Sequence, residues 1–118
     1  MKALIIDDDT DLCTMLESVV KNTVPNVQCA STISAGRQLV KAWKPDVVFL
    51  DNNLPDGQGL DLAKEIKHHS PSVFIVFITA VDLPKEKVTE YGIDVFLEKP
   101  LTYSAISQAL EIDSKAGL

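Results

Sequence analysis

Short apolar runs recur along the chain, and each leads to a residue that can do chemistry. Ala3 to Ile6 runs into Asp7, Asp8 and Asp9. Val47 to Leu50 runs into Asp51, and Val73 to Ile78 runs into Thr79. Ile93 to Leu97 is followed, after Glu98, by Lys99 and Pro100. Strand-length apolar runs that alternate with amphipathic stretches argue for βαβ units and a parallel sheet. In an open parallel α/β sheet, ligands bind outside the carboxyl ends of the strands. Residues far apart in sequence are therefore expected at one edge. Three acids, a hydroxyl and an ammonium gathered there make a site for a metal ion and a phosphoryl group.

The stretches between the runs fit this plan. Leu12, Leu16, Val19 and Val20 fall at helical spacing, so a helix follows the first strand and stops before Pro25. Val27 to Ala30 is a weak second strand. Ser34 to Trp43 suits a second helix, with Leu39 and Trp43 on one stripe, and Pro45 ends that segment. A strand over 46–50 follows. Leu54-Pro55-Asp56-Gly57 reads as a turn, because proline fixes one dihedral and glycine frees the next. Leu60 to His69 is a third helix, and the apolar stretch Ser72 to Ile78 is a strand buried on both faces. A short helix is expected around Pro84 to Glu90, with Gly92 at its C-cap. A fifth strand is expected over 93–97 and a last helix from Thr102 to about Ile112, with a frayed end from Ser114 to Leu118. The fold expected is a doubly wound, flavodoxin-like sheet of five parallel strands in the order 2-1-3-4-5.

Composition narrows the function classes. A chain of 118 residues with 46% hydrophobic and 24% charged residues is long enough for one globular core. A net charge of -6 argues against a non-specific grip on nucleic acid or an anionic membrane. No apolar run approaches the ~20 residues of a membrane span, and the start is too short for a signal peptide, so a cytoplasmic protein is expected. Cys13 and Cys29 are too few for a disulfide framework or a zinc site, and two buried or half-buried thiols are expected. His68 and His69 are adjacent and cannot share a helix face, which suits a solvated helix end, and Trp43 suits helix packing.

Five stretches together resemble the receiver domain of bacterial two-component response regulators. They are Leu4 to Asp9, Val48 to Asp51, Leu54 to Gly59, Phe77 to Ala80 and Phe96 to Pro100. Each alone is weak, and all five in order over residues 1–118 are specific. The resemblance implies a signalling switch in a phosphorelay, a regulatory domain rather than an enzyme, standing alone or cut from a longer regulator. Asp51 would be the phosphoacceptor, a carboxylate nucleophile that becomes an aspartyl phosphate. Asp7, Asp8 and Asp51 would hold Mg²⁺ or Mn²⁺ with the backbone carbonyl of Asn53. Three carboxylates so close would raise one another's pKa values. Asp9 and Asp11 are acids favoured by a helix start.

Lys99 would pair with Asp51 and then with a phosphoryl oxygen, next to a cis peptide at Pro100. Thr79 would turn its hydroxyl to the new phosphate, and Phe96 would rotate into the space vacated, with a plain core role for Phe96 as the alternative. The resemblance also implies that Asn53 and Val81 stand at positions that tune phosphate lifetime. Val81 has no polar group to hold an attacking water, so slow self-dephosphorylation is expected. The implied partners are a histidine kinase or phosphotransfer protein, a downstream effector, and a second copy of the chain. Against the pattern of the family it resembles, three departures stand out: the stretch from Thr79 to Gly92 is short, Val81 to Pro84 sits where that family's fourth helix usually begins, and Leu101 stands where it usually has a phenylalanine.

Two other functions compete. Asp7 to Thr10 also resembles the acidic signature of haloacid-dehalogenase-type phosphatases, but Asp11 does not suit that motif and the chain is short for it. A phosphorylation-independent interaction module of the same fold is the other. A flavin site is disfavoured, because the loop after the first strand lacks the Gly, Ser and Thr content that cradles a phosphate.

Overall fold

The computed structural model describes residues 1–80 and 85–115. Numbered in chain order, the strands are β1 (Lys2–Ile6), β2 (Asn26–Ala30), β3 (Val47–Asp51), β4 (Asn53–Leu54), β5 (Gly57–Gln58), β6 (Phe74–Thr79) and β7 (Val95–Glu98). The helices are α1 (Thr10–Val20), α2 (Ile33–Trp43), α3 (Gly59–His69), α4 (Lys85–Glu90) and α5 (Tyr103–Lys115). The main sheet is parallel in the order β2-β1-β3-β6-β7. This is the expected 2-1-3-4-5 order, with β4 and β5 set apart as a small antiparallel hairpin.

Alternation along the strands divides the core in two. Ala3, Ile5, Val47, Phe49, Val76 and Ile78 face α1 and α5, where they meet Leu16, Val20 and Ile106. Leu4, Ile6, Val48, Leu50, Ile75 and Phe77 face the other way and meet Leu62, Ala63 and Ile66 of α3. Trp43 packs against this second cluster, as expected of a helix-packing residue. β3 and β6 are buried at every position, which is why they appear in sequence as unbroken apolar runs.

Helix ends follow local chemistry. Asp9 caps α1, its Oδ1 accepting the N–H groups of Asp11 and Leu12 at 3.0 and 3.2 Å. Thr32 caps α2 through Ala35 N–H, and Thr102 accepts from Ala105 N–H ahead of α5. At the end of α4, Ile93 N–H donates to Val88 carbonyl and Gly92 N–H to Thr89 carbonyl, with Gly92 at φ 73°. That double bond pattern is a Schellman motif.

The Leu54–Gly57 turn stands as expected, at the tip of the short β4–β5 hairpin. Three expectations change. The last sheet strand begins at Val95, because Ile93 is engaged in the Schellman motif and Asp94 Oδ2 accepts from Lys67 Nζ and from Ile75 N–H. Helix α5 continues through Ser114 to Lys115, while residues 116–118 lie outside those described. Cys13 and Cys29 are joined as a disulfide rather than standing as two thiols, because β2 pairs with β1 directly beneath α1. The start of α4, with Val81 and Pro84, lies outside the described residues.

Candidate functional site

The parallel register brings four strand ends to one edge. Asp7 follows β1 and is held there by its N–H, which donates to the Ala30 carbonyl at the end of β2 at 2.9 Å. Asp51 is the last residue of β3 and pairs with Ile78, so Thr79 lies one step further along the neighbouring strand. Thr79 pairs with Glu98 on β7, and its carbonyl accepts Lys99 N–H at 2.9 Å. The fold therefore gathers the acids, the hydroxyl and the ammonium as expected.

The acidic residues are unevenly exposed. Asp7 and Asp51 are 4% and 3% exposed, and Thr79 is 1% exposed, whereas Asp8 is open to solvent. Carboxylate oxygens of Asp7, Asp8 and Asp51 all lie within 4.8 Å of one another. Lys99 Nζ sits 3.0 Å from Asp51 Oδ1 and 3.8 Å from Asp7 Oδ2. The Lys99–Pro100 peptide is cis. Asp9, by contrast, spends its carboxylate on the α1 cap and is not part of the cluster.

The charges are tuned by this placement. Burial pushes the Asp7 carboxyl up to about 6; the Asp9 N–H bond at 2.9 Å and Lys99 oppose the rise, and Asp51 and Asp8 add to it. Mutual repulsion, the cause expected from sequence, thus ranks behind desolvation. For Lys99, burial works against the ammonium, but its hydrogen bond to Asp51 and the charges of Asp7, Asp51 and Asp9 outweigh it, leaving the pKa above its ordinary value.

A divalent cation fits this donor set. Asp7 Oδ2 is buried and has no hydrogen-bond partner among the described residues. A buried carboxylate oxygen left without a donor is costly. It points into a cluster of oxygens, the ligand type that Mg²⁺ and Mn²⁺ prefer.

Other expected residues stand nearby. Asn53 is exposed at the start of β4, two residues beyond Asp51. Phe96 on β7 pairs with Phe77, packs half-buried against the α2–α3 side of the core, and stands diagonally across from Thr79 on that sheet face. Val81 lies outside the described residues.

Two contributors escaped the sequence. A Cβ on Gly59 would run into the backbone oxygen of Asp51, so the α3 start can approach the acceptor only as glycine. Asp56 reaches across from the hairpin tip to α2, accepting Ile33 N–H at 2.8 Å and Ser34 N–H at 3.0 Å. Both lie inside the Leu54–Gly59 stretch, which carries part of the family resemblance but whose local signal, a turn, assigns neither residue a role. Beside Lys99, a cleft of about 580 Å³ opens between Leu12 and Met15 of α1 and Pro100 and Leu101, with Asp9 and Asp11 on its lining.

The fold and the sequence have counterparts in known proteins. The family model described as response regulator receiver domain matches residues 3–111. Transcriptional regulatory protein DpiA of Escherichia coli is 31% identical over 114 residues, covering 91% of this chain and 49% of that protein. Sensory transduction protein LytR of Staphylococcus saprophyticus is 34% identical, over 93% of this chain and 44% of its own length. The chain thus spans about half the length of these curated relatives. Among solved structures, the non-phosphorylated HemR receiver domain of Leptospira biflexa superposes with a TM-score of 0.82 at 32% identity, covering 94% of this chain and 91% of that one.

Proposed function

The chain belongs to the response regulator receiver domain family, and on that premise we propose that Asp51 is its phosphoacceptor and that its edge cluster works as a phosphorylation-dependent switch. The observation that carries this is the buried Asp51 carboxylate, 3.0 Å from Lys99 Nζ and grouped with Asp7 and Asp8. Aspartate phosphorylation is a general feature of the family, and its members are regulatory domains of two-component systems.

The chemistry follows from the residues present. An Asp51 oxygen attacks phosphorus of a phosphohistidine on a kinase or phosphotransfer partner. A new P–O bond forms, the P–N bond breaks, and the imidazole leaves. Asp7, Asp8, Asp51 and the Asn53 backbone carbonyl would hold Mg²⁺ or Mn²⁺, which when bound offsets the repulsion between the acceptor carboxylate and the phosphoryl oxygens. Lys99 gives up its bond to Asp51 for one to a phosphoryl oxygen. An open cleft beside Lys99 leaves this edge of the site accessible.

Phosphorylation adds roughly -1.5 to -2 charges and three acceptor oxygens at this edge. Thr79 turns its hydroxyl toward them, and Phe96, next along the same sheet face, takes the space. Moving a two-state equilibrium from 1:99 to 99:1 requires about 5.5 kcal/mol. Charge-assisted hydrogen bonds at about 1.5–3 kcal/mol each are sufficient. The setting proposed is cytoplasmic, with the domain regulating its own phosphate rather than turning over a substrate, and with an effector as its output.

Acetyl phosphate with Mg²⁺ tests the assignment. Peptide mapping after borohydride trapping should place the label on Asp51, and Asp51→Asn should remove it. Label on Asp7 that survives Asp51→Asn would instead support the phosphatase-type chemistry.

A further inference from the structure

Cys13 and Cys29 are the only cysteines of the chain, and they are bonded to each other with Cα atoms 6.7 Å apart. One sits on α1 and the other on β2, an edge strand of the sheet. These two elements frame the acidic loop. On one side Asp7 N–H is bonded to the carbonyl of Ala30, the residue after Cys29. On the other, Cys13 N–H donates to the Asp9 carbonyl at 3.0 Å, and the Asp9 side chain caps the same helical turn. The run Asp7 to Asp9 is therefore anchored at one end to the neighbour of Cys29 and at the other to Cys13 itself.

The two sulfurs differ in access. Cys13 is buried, whereas Cys29 is exposed on the open edge. The exposed Cys29 is therefore the side from which a soluble thiol would approach the bridge.

We infer that Cys13–Cys29 is a reversible thiol–disulfide modification site, opened and closed by exchange with a soluble thiol/disulfide couple, and that closing it tightens divalent-cation binding at the Asp7–Asp8–Asp51 cluster. The cation half rests on the receiver function proposed above. Closure starts from two thiols. The Cys29 thiolate attacks an external disulfide, forming a mixed disulfide and releasing one thiolate. The Cys13 thiolate then attacks the Cys29 sulfur and releases the second. Two electrons pass to the external couple, and the two protons lost by the protein end on the released thiols. In a reducing cytoplasm such a bond is a regulated one rather than a permanent one.

The coupling is entropic. With the bridge closed, α1 and the end of β2 are held together before any cation arrives, so less loop freedom is lost on binding. A tightening of about fivefold lies at the low end of site-to-site couplings.

The full chain is equilibrated in glutathione buffers of graded potential. Bridge closure is read by alkylation and mass, and Mg²⁺ affinity by calorimetric titration of the two forms. The oxidised protein should lose two alkylation sites and bind Mg²⁺ about fivefold more tightly than the reduced one. The double variant Cys13→Ser/Cys29→Ser, checked for folding by circular dichroism, should bind like the reduced protein in every buffer. Thiols that stay alkylatable in fully oxidising buffer would overturn the inference, as would equal Mg²⁺ affinity in the open and closed forms. Failure of the receiver function is seen separately: acetyl phosphate would then leave Asp51 unlabelled in both redox forms, whatever the mass readout shows.

Discussion

At Asp7 a buried carboxylate faces two others with one lysine 3.8 Å away, and the protein without metal bears that cost. Its folded pKa, about 6, stands above the ordinary 3.8. The sign follows from linkage: the stabilising contribution of protonated Asp7 is complete below 3.8 and is lost as pH rises through about 6. In chelator at about pH 7.5, Asp7→Asn should therefore be more stable than the native chain, by at most about 3 kcal/mol and less where the open rim screens the charge. Near pH 4 the difference should nearly vanish. Urea unfolding at the two pH values checks this, and equal stability at neutral pH would contradict it. Gly59 carries a second residue-scale expectation. The Cβ of Gly59→Ala meets Asp51 backbone rather than a movable side chain. Overpacking of this kind should cost about 1–3 kcal/mol, visible as a lower urea midpoint together with slower acetyl phosphate labelling. Asp51 and Thr79 are legible because each directly follows an unbroken apolar run, and Lys99 because it stands beside Pro100 at the end of a strand-like stretch. Gly59 is not, because a glycine after a turn looks the same whether it frees a dihedral or admits a neighbour.

Among the elements, legibility followed burial. β1, β3 and β6 lie inside the sheet and display themselves as apolar runs. β2 has a single buried residue, Ala30, because an edge strand is covered less, and its signal was correspondingly weak. The apolar stretch that leads into β7 begins two residues before the strand, since Ile93 is as apolar as a strand residue but is used to close α4. That closure depends on Gly92 at φ 73°. A side chain there is strained by its backbone, and its Cβ would also crowd the aliphatic part of Lys67. Gly92→Ala should cost about 1–2 kcal/mol, and hydrogen exchange should show the loss first at the amides of Gly92 and Ile93. The Asp56 clamp makes a different prediction for α2. Its carboxylate is held below the ordinary value by the N–H groups of Ile33 and Ser34. A lowered pKa means that the clamp's contribution is present above the ordinary carboxylate range and is lost as pH falls through the folded value. Asp56→Ala should speed exchange at Ile33 and Ser34 while leaving Ala35, which is held by Thr32, much less affected.

On the scale of the whole molecule, two apolar layers close over the sheet from opposite sides while the site stays at its rim. The core therefore stabilises the fold without stabilising the site, whose carboxylates repel one another in a chain of net charge -6. Sequence conveyed the layers through their periodicity. It could not convey the Cys13–Cys29 bond, which depends on how α1 is rotated over the β1–β2 pair, a tertiary fact with no local pattern. A ligand that binds the folded state alone stabilises by mass action, by about 2.7 kcal/mol at a hundredfold excess over its dissociation constant. For a chain of 118 residues, that corresponds to a rise in Tm of about 10 °C. Mg²⁺ should produce this rise, and NaCl at equal ionic strength should produce only the small part that comes from screening. Asp51→Asn, lacking one of the three carboxylates, should give a smaller rise at the same Mg²⁺ concentration. Should NaCl match Mg²⁺ in the native chain, general screening of the acidic surface rather than a cation held at the rim would account for the stabilisation.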